Sequence, residues 1–211
     1  MIRNIVFDMG NVLIDYQPME YTRRFFPDPS EAAQVCTELF GGPEWPLLDQ
    51  GIIEPQAALR QICERLPDSL RARTEELFCH WFDQLTIIPE TNALGKQMKE
   101  NGYRLYILSN AASSFYQYCS CIPIFPLLDG CIVSADEKLV KPDPAIFQLL
   151  CERYHLIPEE CFFIDDRLEN MKQRQFGDGA PSISNGCGCF TMRCAKLAYL
   201  EIVHRSMRRG E

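Results

Sequence analysis

Residues 5–13 read IVFDMGNVL, an apolar run that breaks off at Asp8 and is followed by a glycine and an asparagine. An uninterrupted apolar segment without polar alternation is typical of a strand that is buried on both faces of a parallel sheet. We therefore predict a strand over residues 2–7 and a tight turn at Gly10 and Asn11. The Asp8 carboxylate would then lie at the carboxyl end of this strand.

Further stretches of the chain predict more of the same sheet. LYILSNA (residues 105–111) and CFFIDDRLEN (161–170) each contain an apolar run that ends in polar residues. Helices fit residues 90–101 and the segment that begins at Asp143. The predicted strands cover residues 2–7, 103–108, 131–134 and 161–164. Alternating strands and helices predict an α/β fold with a Rossmann-like parallel sheet core flanked by helices.

The segment 16–88 follows a different pattern. Seven prolines interrupt short stretches of helical period, and the segment shows no strong strand. We predict helices over residues 31–40, 54–66 and 70–85. The predicted domains are an α/β core of residues 1–15 and 89–211, and a helical cap of residues 16–88. In the tail, the pattern favours a short strand at 182–184 and a helix at 192–207.

Polar residues from four distant stretches are expected to meet at one edge of the sheet, since ligands of open α/β sheets bind outside the carboxyl ends of the strands. The set consists of a carboxylate, a hydroxyl with its neighbouring amide, an ammonium and an acidic pair. These residues are Asp8, Ser109, Asn110, Lys141, Asp165 and Asp166. Such a combination suits phosphoryl chemistry with a divalent metal.

Each of these residues also has a purely structural interpretation. Asp8 is either a nucleophile that forms an acyl-phosphate or a turn residue. Asp165 and Asp166 repel each other unless a cation lies nearby, so they either bind Mg²⁺ or serve as a solvated residue and a helix cap. Lys141, which Pro142 holds out of a helix, either neutralises phosphate oxygens or is a solvated surface residue. Ser109 and Asn110 are likewise either ligands of a phosphate or members of a turn.

The order of the motifs resembles that of the haloacid dehalogenase-like (HAD) superfamily. FDMGNVL, LSNA, LVKPDPAIF and FFIDDRLEN are similar to its FDxGNV branch, which contains sugar-phosphate phosphatases of the glucose-1-phosphate phosphatase type. The resemblance covers about residues 1–170. It implies an enzyme that hydrolyses a small phosphorylated metabolite, for example a sugar phosphate, through an aspartyl-phosphate intermediate with Mg²⁺ as cofactor.

The resemblance also implies a metal site. Asp8 would be both the phosphorylated nucleophile and a Mg²⁺ ligand, and the backbone carbonyl of Gly10 would be a second ligand. Asp166 would bind the metal directly, and Asp165 would bind it through water.

A phosphate site is implied beside the metal. Ser109 and Asn110 would hold the phosphoryl oxygens, and Lys141 would orient both the phosphate and Asp8. The cap would close over the site and exclude water. Independently of the resemblance, core packing is the expected role of Trp45 and Trp81 in this segment, with substrate contact as the alternative. Asp49 and Gln50 are polar candidates for substrate specificity.

Two features depart from the superfamily pattern. Most of its phosphatases carry a second Asp, the general acid and base, where this chain has Gly10. General acid–base catalysis contributes about 10²–10⁴-fold in rate, so another group is needed to activate water. After the acidic pair, residues 171–175 read MKQRQ instead of small residues. The nearby Cys187, Cys189 and Cys194 match no common zinc spacing, and we expect no metal site there.

Two other functions remain open from the sequence. A metal-independent dehalogenase would use Asp8 to attack carbon, although the Asp165–Asp166 pair argues against a site without a cation. A phosphate-binding protein that has lost turnover would explain Gly10 and the unusual tail.

The bulk composition excludes several classes of partner. The 211 residues carry a net charge of −8 with a pI near 5.0, which disfavours binding to nucleic acid. No run approaches the roughly 20 apolar residues of a membrane span, and no apolar targeting segment follows Met1. Eleven cysteines, an odd number, fit reduced thiols. We expect a cytoplasmic protein, and the sequence leaves its oligomeric state open.

Overall fold

The computed structural model describes residues 2–83, 85–167 and 169–170. Its strands are β1 (Asn4–Phe7), β2 (Ile14–Asp15), β3 (Thr86–Ile87), β4 (Arg104–Ser109), β5 (Gly130–Val133) and β6 (Cys161–Ile164). Its helices are α1 (Pro18–Phe25), α2 (Pro29–Leu39), α3 (Glu44–Asp49), α4 (Pro55–Glu64), α5 (Asp68–His80), α6 (Pro89–Glu100), α7 (Phe115–Tyr118), α8 (Ser134–Glu137) and α9 (Pro144–Tyr154).

Four of the strands form one parallel sheet in the order β5-β4-β1-β6. Phe7, the last residue of β1, lies opposite Ile107 of β4 on one side and Ile164 of β6 on the other. The strands therefore run in register, and the residues after them emerge at one common edge. The predicted α/β class with a parallel sheet flanked by helices is confirmed.

Both faces of the sheet are covered, which explains why its strands read as continuous apolar runs. Ile5 and Phe7 belong to a buried cluster that includes Met98 of α6. Val6 points to the opposite face, where it joins a second buried cluster with Phe147 and other residues of α9. The alternation of neighbouring β1 side chains between two cores follows from the period of two in a strand.

Helices α1 to α5 all lie in the segment between β2 and β3. These two strands pair antiparallel, with Ile14 opposite Ile87, so the segment leaves the α/β core and returns to it at one point. The backbone N–H of Ile88 donates to the Leu13 carbonyl at 3.0 Å and reinforces this junction. The helical character of the segment agrees with expectation, while the division into a core and a cap at residues 16–88 remains a prediction.

Several details of this segment differ from the sequence prediction. The sequence shows no strong strand in this segment, and it misses the short strand β3, because two residues are too few to show a period. Helices α1 and α3 are absent from the prediction, since α1 has only 8 residues and α3 contains Pro46. Helix α5 ends at His80, not at residue 85.

An aromatic cluster joins the segment between β2 and β3, called the insert below, to the α/β core. Trp81 is 6% exposed, and its ring centroid lies 5.6 Å from that of Tyr118, which belongs to α7 on the core side. The Tyr16 ring lies 5.8 Å from Trp81, and Trp45 packs on Phe40 at 4.6 Å. These contacts support the packing interpretation of both tryptophans, because the rings fill the space between insert and core.

A second contact joins the end of α3 to the start of α8. The Ser134 hydroxyl donates to the backbone carbonyl of Asp49, and the Gln50 side chain donates to the Lys138 carbonyl at 3.3 Å. Gly51 is the next residue, with φ of +69°, and a Cβ there would lie 2.0 Å from the Ala135 carbonyl oxygen. Only a residue without a side chain allows the two backbones to approach this closely.

Other predictions fall partly or wholly outside the described residues. The 171–175 segment, the strand at 182–184, the helix at 192–207 and the three tail cysteines all lie there. The eight cysteines that the structure does describe are free thiols. Within residues 2–83, 85–167 and 169–170, every helix is too short or too polar to cross a bilayer.

Replacing Gly51 with Ala is expected to destabilise the fold by more than the matched change Gly102→Ala. Both glycines have positive φ, but a Cβ at Gly102 meets nothing within 4 Å. Gly102→Ala should therefore cost only the left-handed backbone strain of about 1–2 kcal/mol, whereas Gly51→Ala adds a clash with Ala135. Urea unfolding of both variants measures the difference, and equal losses would contradict the close approach.

Candidate active site

Four of the polar residues singled out in the sequence meet at the carboxyl edge of the sheet. Asp8 follows β1, and Asp165 and Asp166 follow the neighbouring strand β6. Lys141 comes from the loop between α8 and α9 and extends its ammonium between two of these carboxylates. Its Nζ lies 2.8 Å from Asp8 Oδ1 and 2.7 Å from Asp165 Oδ2.

The Lys141 ammonium is buried, with only 5% of the residue exposed. Burial lowers its pKa, but the attraction of Asp8 and Asp165 outweighs this effect and raises the pKa above the ordinary value for lysine. Lys141 therefore stays charged at neutral pH and neutralises carboxylates that would otherwise repel each other.

Asp8 has a carboxylate whose ionisation is strongly affected by its surroundings. Burial raises its pKa to about 6, Lys141 opposes this rise, and the negative charge of Asp165 adds to it. The Asp8 carboxylate also accepts the backbone N–H of Met9 at 2.7 Å. The group combines desolvation with a fixed orientation, as a nucleophilic carboxylate requires.

Three carboxylates form a cluster of the kind that holds a metal ion. Single oxygens of Asp8, Asp165 and Asp166 all lie within 4.8 Å of one another. Carboxylate oxygens are the ligands that hard divalent cations such as Mg²⁺ prefer. The three negative charges exceed the one positive charge of Lys141, so the cluster as it stands favours a further cation.

Hydrogen bonds distinguish the two members of the acidic pair. Asp165 accepts Lys141 Nζ, the Arg167 backbone N–H at 2.9 Å, and the Asn170 amide at 2.9 and 3.0 Å. Its two oxygens are largely occupied and held in place. Asp166 accepts from the Asn11 side chain at 3.0 Å and is more exposed.

The Ser109–Asn110 pair lies at the same edge, at the end of β4. Ser109 is 1% exposed. The Asn110 side chain accepts the Lys141 backbone N–H at 2.7 Å and donates to the Lys141 carbonyl at 2.9 Å. Asn110 therefore positions the Lys141 loop, and its expected contact with a phosphoryl oxygen remains a prediction, as does that of Ser109.

A further carboxylate reaches this region from the insert. Asp49 ends α3, and its side chain lies near the backbone of Ala112 in the loop after β4. Burial raises the pKa of Asp49 to about 7, the Ala112 backbone opposes the rise, and the negative charge of Asp8 adds to it. Asp49 is therefore close enough to Asp8 for the two charges to interact. The sequence suggests it only as a residue for substrate specificity.

Sequence reasoning misses two residues that hold the acidic pair. Asn11 is predicted as a turn residue, and its φ of +54° confirms a left-handed turn, but its contact with Asp166 spans 155 positions of the chain. Asn170 lies within the motif FFIDDRLEN, five positions after Asp165. That short spacing is a usable signal, whereas the Asn11 contact depends on the strand order.

An α/β fold with a carboxylate, a buried lysine and an acidic pair at one sheet edge defines a class of hydrolases. The chain belongs to the haloacid dehalogenase-like hydrolase family, whose sequence pattern it matches over residues 2–172. The family expected from the motifs is thereby confirmed, and so is the assignment as a hydrolase.

Two relatives of assigned activity match most of the chain. It is 28% identical over 173 residues to the sesquiterpene phosphatase astK of Aspergillus oryzae, covering 79% of this chain and 81% of that protein. It is 27% identical over 183 residues to the D-ribitol-5-phosphate phosphatase of Bacteroides thetaiotaomicron, covering 81% and 86%.

Solved structures share the fold. An Asp-to-Ala mutant of a HAD family enzyme from Bacteroides thetaiotaomicron, in complex with magnesium and inorganic phosphate, has a TM-score of 0.62 at 20% identity, covering 88% of this chain and 98% of that one. A dehalogenase has a TM-score of 0.62 at 22% identity, covering 82% and 80%. At these identities the likeness establishes the fold.

The contribution of Asp49 to the stability of the metal-free protein is expected to fall as the pH rises from about 4 to about 7. The folded protein keeps Asp49 protonated up to about pH 7, whereas the unfolded chain ionises it near pH 4. The stability that this group contributes is therefore present below pH 4 and is lost as the pH approaches 7. The slope from this one group is at most about 1.4 kcal/mol per pH unit.

Asp49→Asn should make this pH dependence shallower, with the part that arises from Asp8 retained. Urea unfolding between pH 5 and pH 8 measures the slope. Asp68→Asn serves as the control, because it makes the same change at a side chain that is 90% exposed. Parallel profiles for the wild type and Asp49→Asn would contradict the burial of Asp49.

Proposed function

We propose that this protein is a magnesium-dependent phosphatase that hydrolyses a small-molecule phosphomonoester through an aspartyl-phosphate intermediate. The observation that carries the proposal is the buried Lys141 ammonium between Asp8 and Asp165, with Asp166 completing a carboxylate cluster. Two relatives that match about four fifths of the chain are phosphatases, which favours phosphorus over carbon as the electrophile.

The donor set fits Mg²⁺. Asp8 and Asp166, together with the Gly10 carbonyl, would hold the ion directly. Asp165 would act through water, because its oxygens already accept bonds from Lys141, Arg167 and Asn170. When bound, Mg²⁺ supplies charge stabilisation to the transferring phosphoryl group.

The residues of the chain then divide the work of phosphoryl transfer. An oxygen of Asp8 attacks phosphorus, and the second Asp8 oxygen remains fixed by the Met9 N–H. Lys141 holds Asp8 in its ionised form and orients the phosphate. Ser109 holds a phosphoryl oxygen from the end of β4, and Asn110 keeps the Lys141 loop in position and adds an amide donor.

The segment 16–88 acts as the cap. Its contacts with the core, through the aromatic cluster and between α3 and α8, support a position over the carboxyl edge of the sheet, where the cap would limit access of water. The two relatives act on a sesquiterpene phosphate and on a sugar-alcohol phosphate by name, so the substrate class proposed here is a small phosphorylated metabolite, with sugar phosphates as one candidate group. A cytoplasmic location agrees with such a substrate.

Asp8→Asn should abolish phosphate release from every phosphomonoester that the wild type hydrolyses. The amide keeps the shape of the side chain but cannot attack phosphorus. Release of inorganic phosphate from a panel of phosphorylated metabolites measures the effect, with Asp68→Asn as a matched control on the protein surface. Undiminished turnover by Asp8→Asn would remove Asp8 from the mechanism.

Removing divalent metal with a chelator should abolish phosphate release, and added Mg²⁺ should restore it. Asp166→Asn should raise the Mg²⁺ concentration needed for half-maximal activity, because one of the direct ligands loses its charge. The same samples are tested with a 2-haloacid for halide release. Halide release that survives the chelator would instead support a dehalogenase, and binding of inorganic phosphate without turnover of any substrate would support a phosphate-binding protein.

A further inference from the structure

The proposed phosphatase has Gly10 at the position where most phosphatases of the superfamily carry their acid and base. Gly10 offers no side chain, yet an alkoxide leaving group needs a proton and the water that attacks the aspartyl-phosphate has to lose one. Steric crowding does not explain why position 10 has no side chain. A Cβ at Gly10 would meet the Tyr16 Cβ at an ordinary contact distance of 3.8 Å.

The acidic residues of the sheet edge are committed elsewhere. Asp8 is the nucleophile, and Asp165 is held by Lys141, Arg167 and Asn170. Asp166 accepts from Asn11 and belongs to the carboxylate cluster. Among the described residues, Asp49 is a carboxylate outside that cluster whose pKa is raised in part by the charge of Asp8.

The position of Asp49 is fixed by backbone contacts with the core. Ser134 donates to the Asp49 carbonyl, the neighbouring Gln50 bonds to Lys138, and Gly51 packs directly on the Ala135 carbonyl. The insert thus presents the Asp49 side chain to the catalytic edge from a rigid contact. A surface loop would give it no such fixed position.

Asp49 lies beside the loop that leaves β4. The Ser134 hydroxyl that donates to the Asp49 carbonyl also accepts the Ala111 N–H at 2.9 Å, and Ala111 is two residues after Ser109. The charge of Asp49 acts on the hydroxyls of Tyr16 and Tyr118, which are both raised in pKa chiefly by burial and then by Asp49. Tyr16 is also the residue that a Cβ at Gly10 would contact. Asp49 and a side chain at position 10 would therefore both lie near Tyr16.

We propose that Asp49, delivered by the insert, is the general acid and base of this enzyme and replaces the carboxylate that Gly10 lacks. The inference rests on the proposed phosphatase function. It assigns a catalytic role to the cap, in addition to covering the site.

The two half-reactions balance with this single group. First, Asp8 forms a bond to phosphorus while the bond from phosphorus to the leaving oxygen breaks, and that oxygen takes the proton of Asp49 to leave as an alcohol. Second, ionised Asp49 takes a proton from water as the water oxygen bonds to phosphorus and the Asp8–phosphorus bond breaks. Inorganic phosphate leaves, and Asp8 is again ionised and Asp49 protonated.

The charge state of Asp49 agrees with both halves. Burial raises its pKa to about 7, with Asp8 as a secondary cause, so the protonated and ionised forms are both accessible near neutral pH. Two other titratable groups face it, the tyrosines Tyr16 and Tyr118, and both remain neutral there. An acid and base is most effective when its pKa is close to the working pH.

The test compares the wild type, Asp49→Asn and Asp68→Asn at saturating Mg²⁺ with 4-nitrophenyl phosphate and with an alkyl phosphate that the wild type hydrolyses. Asp49→Asn should reduce turnover of the alkyl phosphate by about 10²–10⁴-fold. Nitrophenolate needs no proton to leave, so its first turnover should stay fast, and a burst followed by slow turnover should reveal accumulated phosphoenzyme. Asp68→Asn should behave as wild type.

The amide of Asp49→Asn keeps the shape of the side chain, and thermal melting checks that the variant is folded. A second measurement needs no variant. The wild-type kcat/KM for a series of substituted phenyl phosphates should depend only weakly on the pKa of the leaving phenol, because Asp49 protonates poor leaving groups. A steep dependence would overturn the assignment.

The outcomes separate the two proposals. A wild type without phosphatase activity on the whole panel refutes the proposed function itself. An active wild type whose Asp49→Asn variant keeps full turnover, shows no burst and retains the same pH profile refutes only the role of Asp49.

Discussion

The site depends on one ion cluster: a buried ammonium held between two carboxylates. Lys141 Nζ lies within 2.8 Å of both Asp8 and Asp165 and has almost no access to water. Burying an isolated ammonium costs several kcal/mol, and burying an isolated carboxylate costs a similar amount. Each group is therefore stable in the interior only beside its partners. Sheet register sets the separation of the two carboxylates, since β1 and β6 are neighbours and end together at Phe7 and Ile164. The fold and the chemistry of the site are therefore constrained by the same few distances.

Hydrogen bonds from two sides hold this cluster in its arrangement. Asn110, directly after β4, hydrogen-bonds to the backbone of Lys141. Asn170 and the Arg167 backbone N–H donate to Asp165 from the segment after β6. Because these donors are fixed in place, the ammonium and the Asp165 carboxylate stay pre-oriented. The arrangement leaves Asp166 and one Asp8 oxygen as the more available acceptors, and this division of roles follows from geometry that no single motif contains.

The parallel sheet and the residues at its edge are predictable from the sequence because both signals are local. Continuous apolar runs that end at Asp8, Ser109 and Asp165 identify the buried strands together with the polar residues at their carboxyl ends. The short strands β2 and β3 could not be predicted, since two residues have no period and their pairing joins positions more than 70 residues apart. The same limit applies to Asn11 with Asp166. For Asp49, the sequence contains no signal that its carboxyl group comes close enough to Asp8 to feel its charge, because this proximity arises only when α3 packs on α8.

The antiparallel pair of β2 and β3 has a consequence for the history of such enzymes. Because the entry and exit of the whole helical segment lie side by side, a segment of different length or sequence with the same end spacing leaves the strand order intact. Such a segment would also have to replace the aromatic and α3–α8 contacts with the core. Divergence in the bound molecule can then proceed in one half of the protein while the reaction centre stays under separate selection. A catalytic carboxylate on the helical segment would couple that segment to the reaction centre at the sheet edge. It would limit which segments can be exchanged.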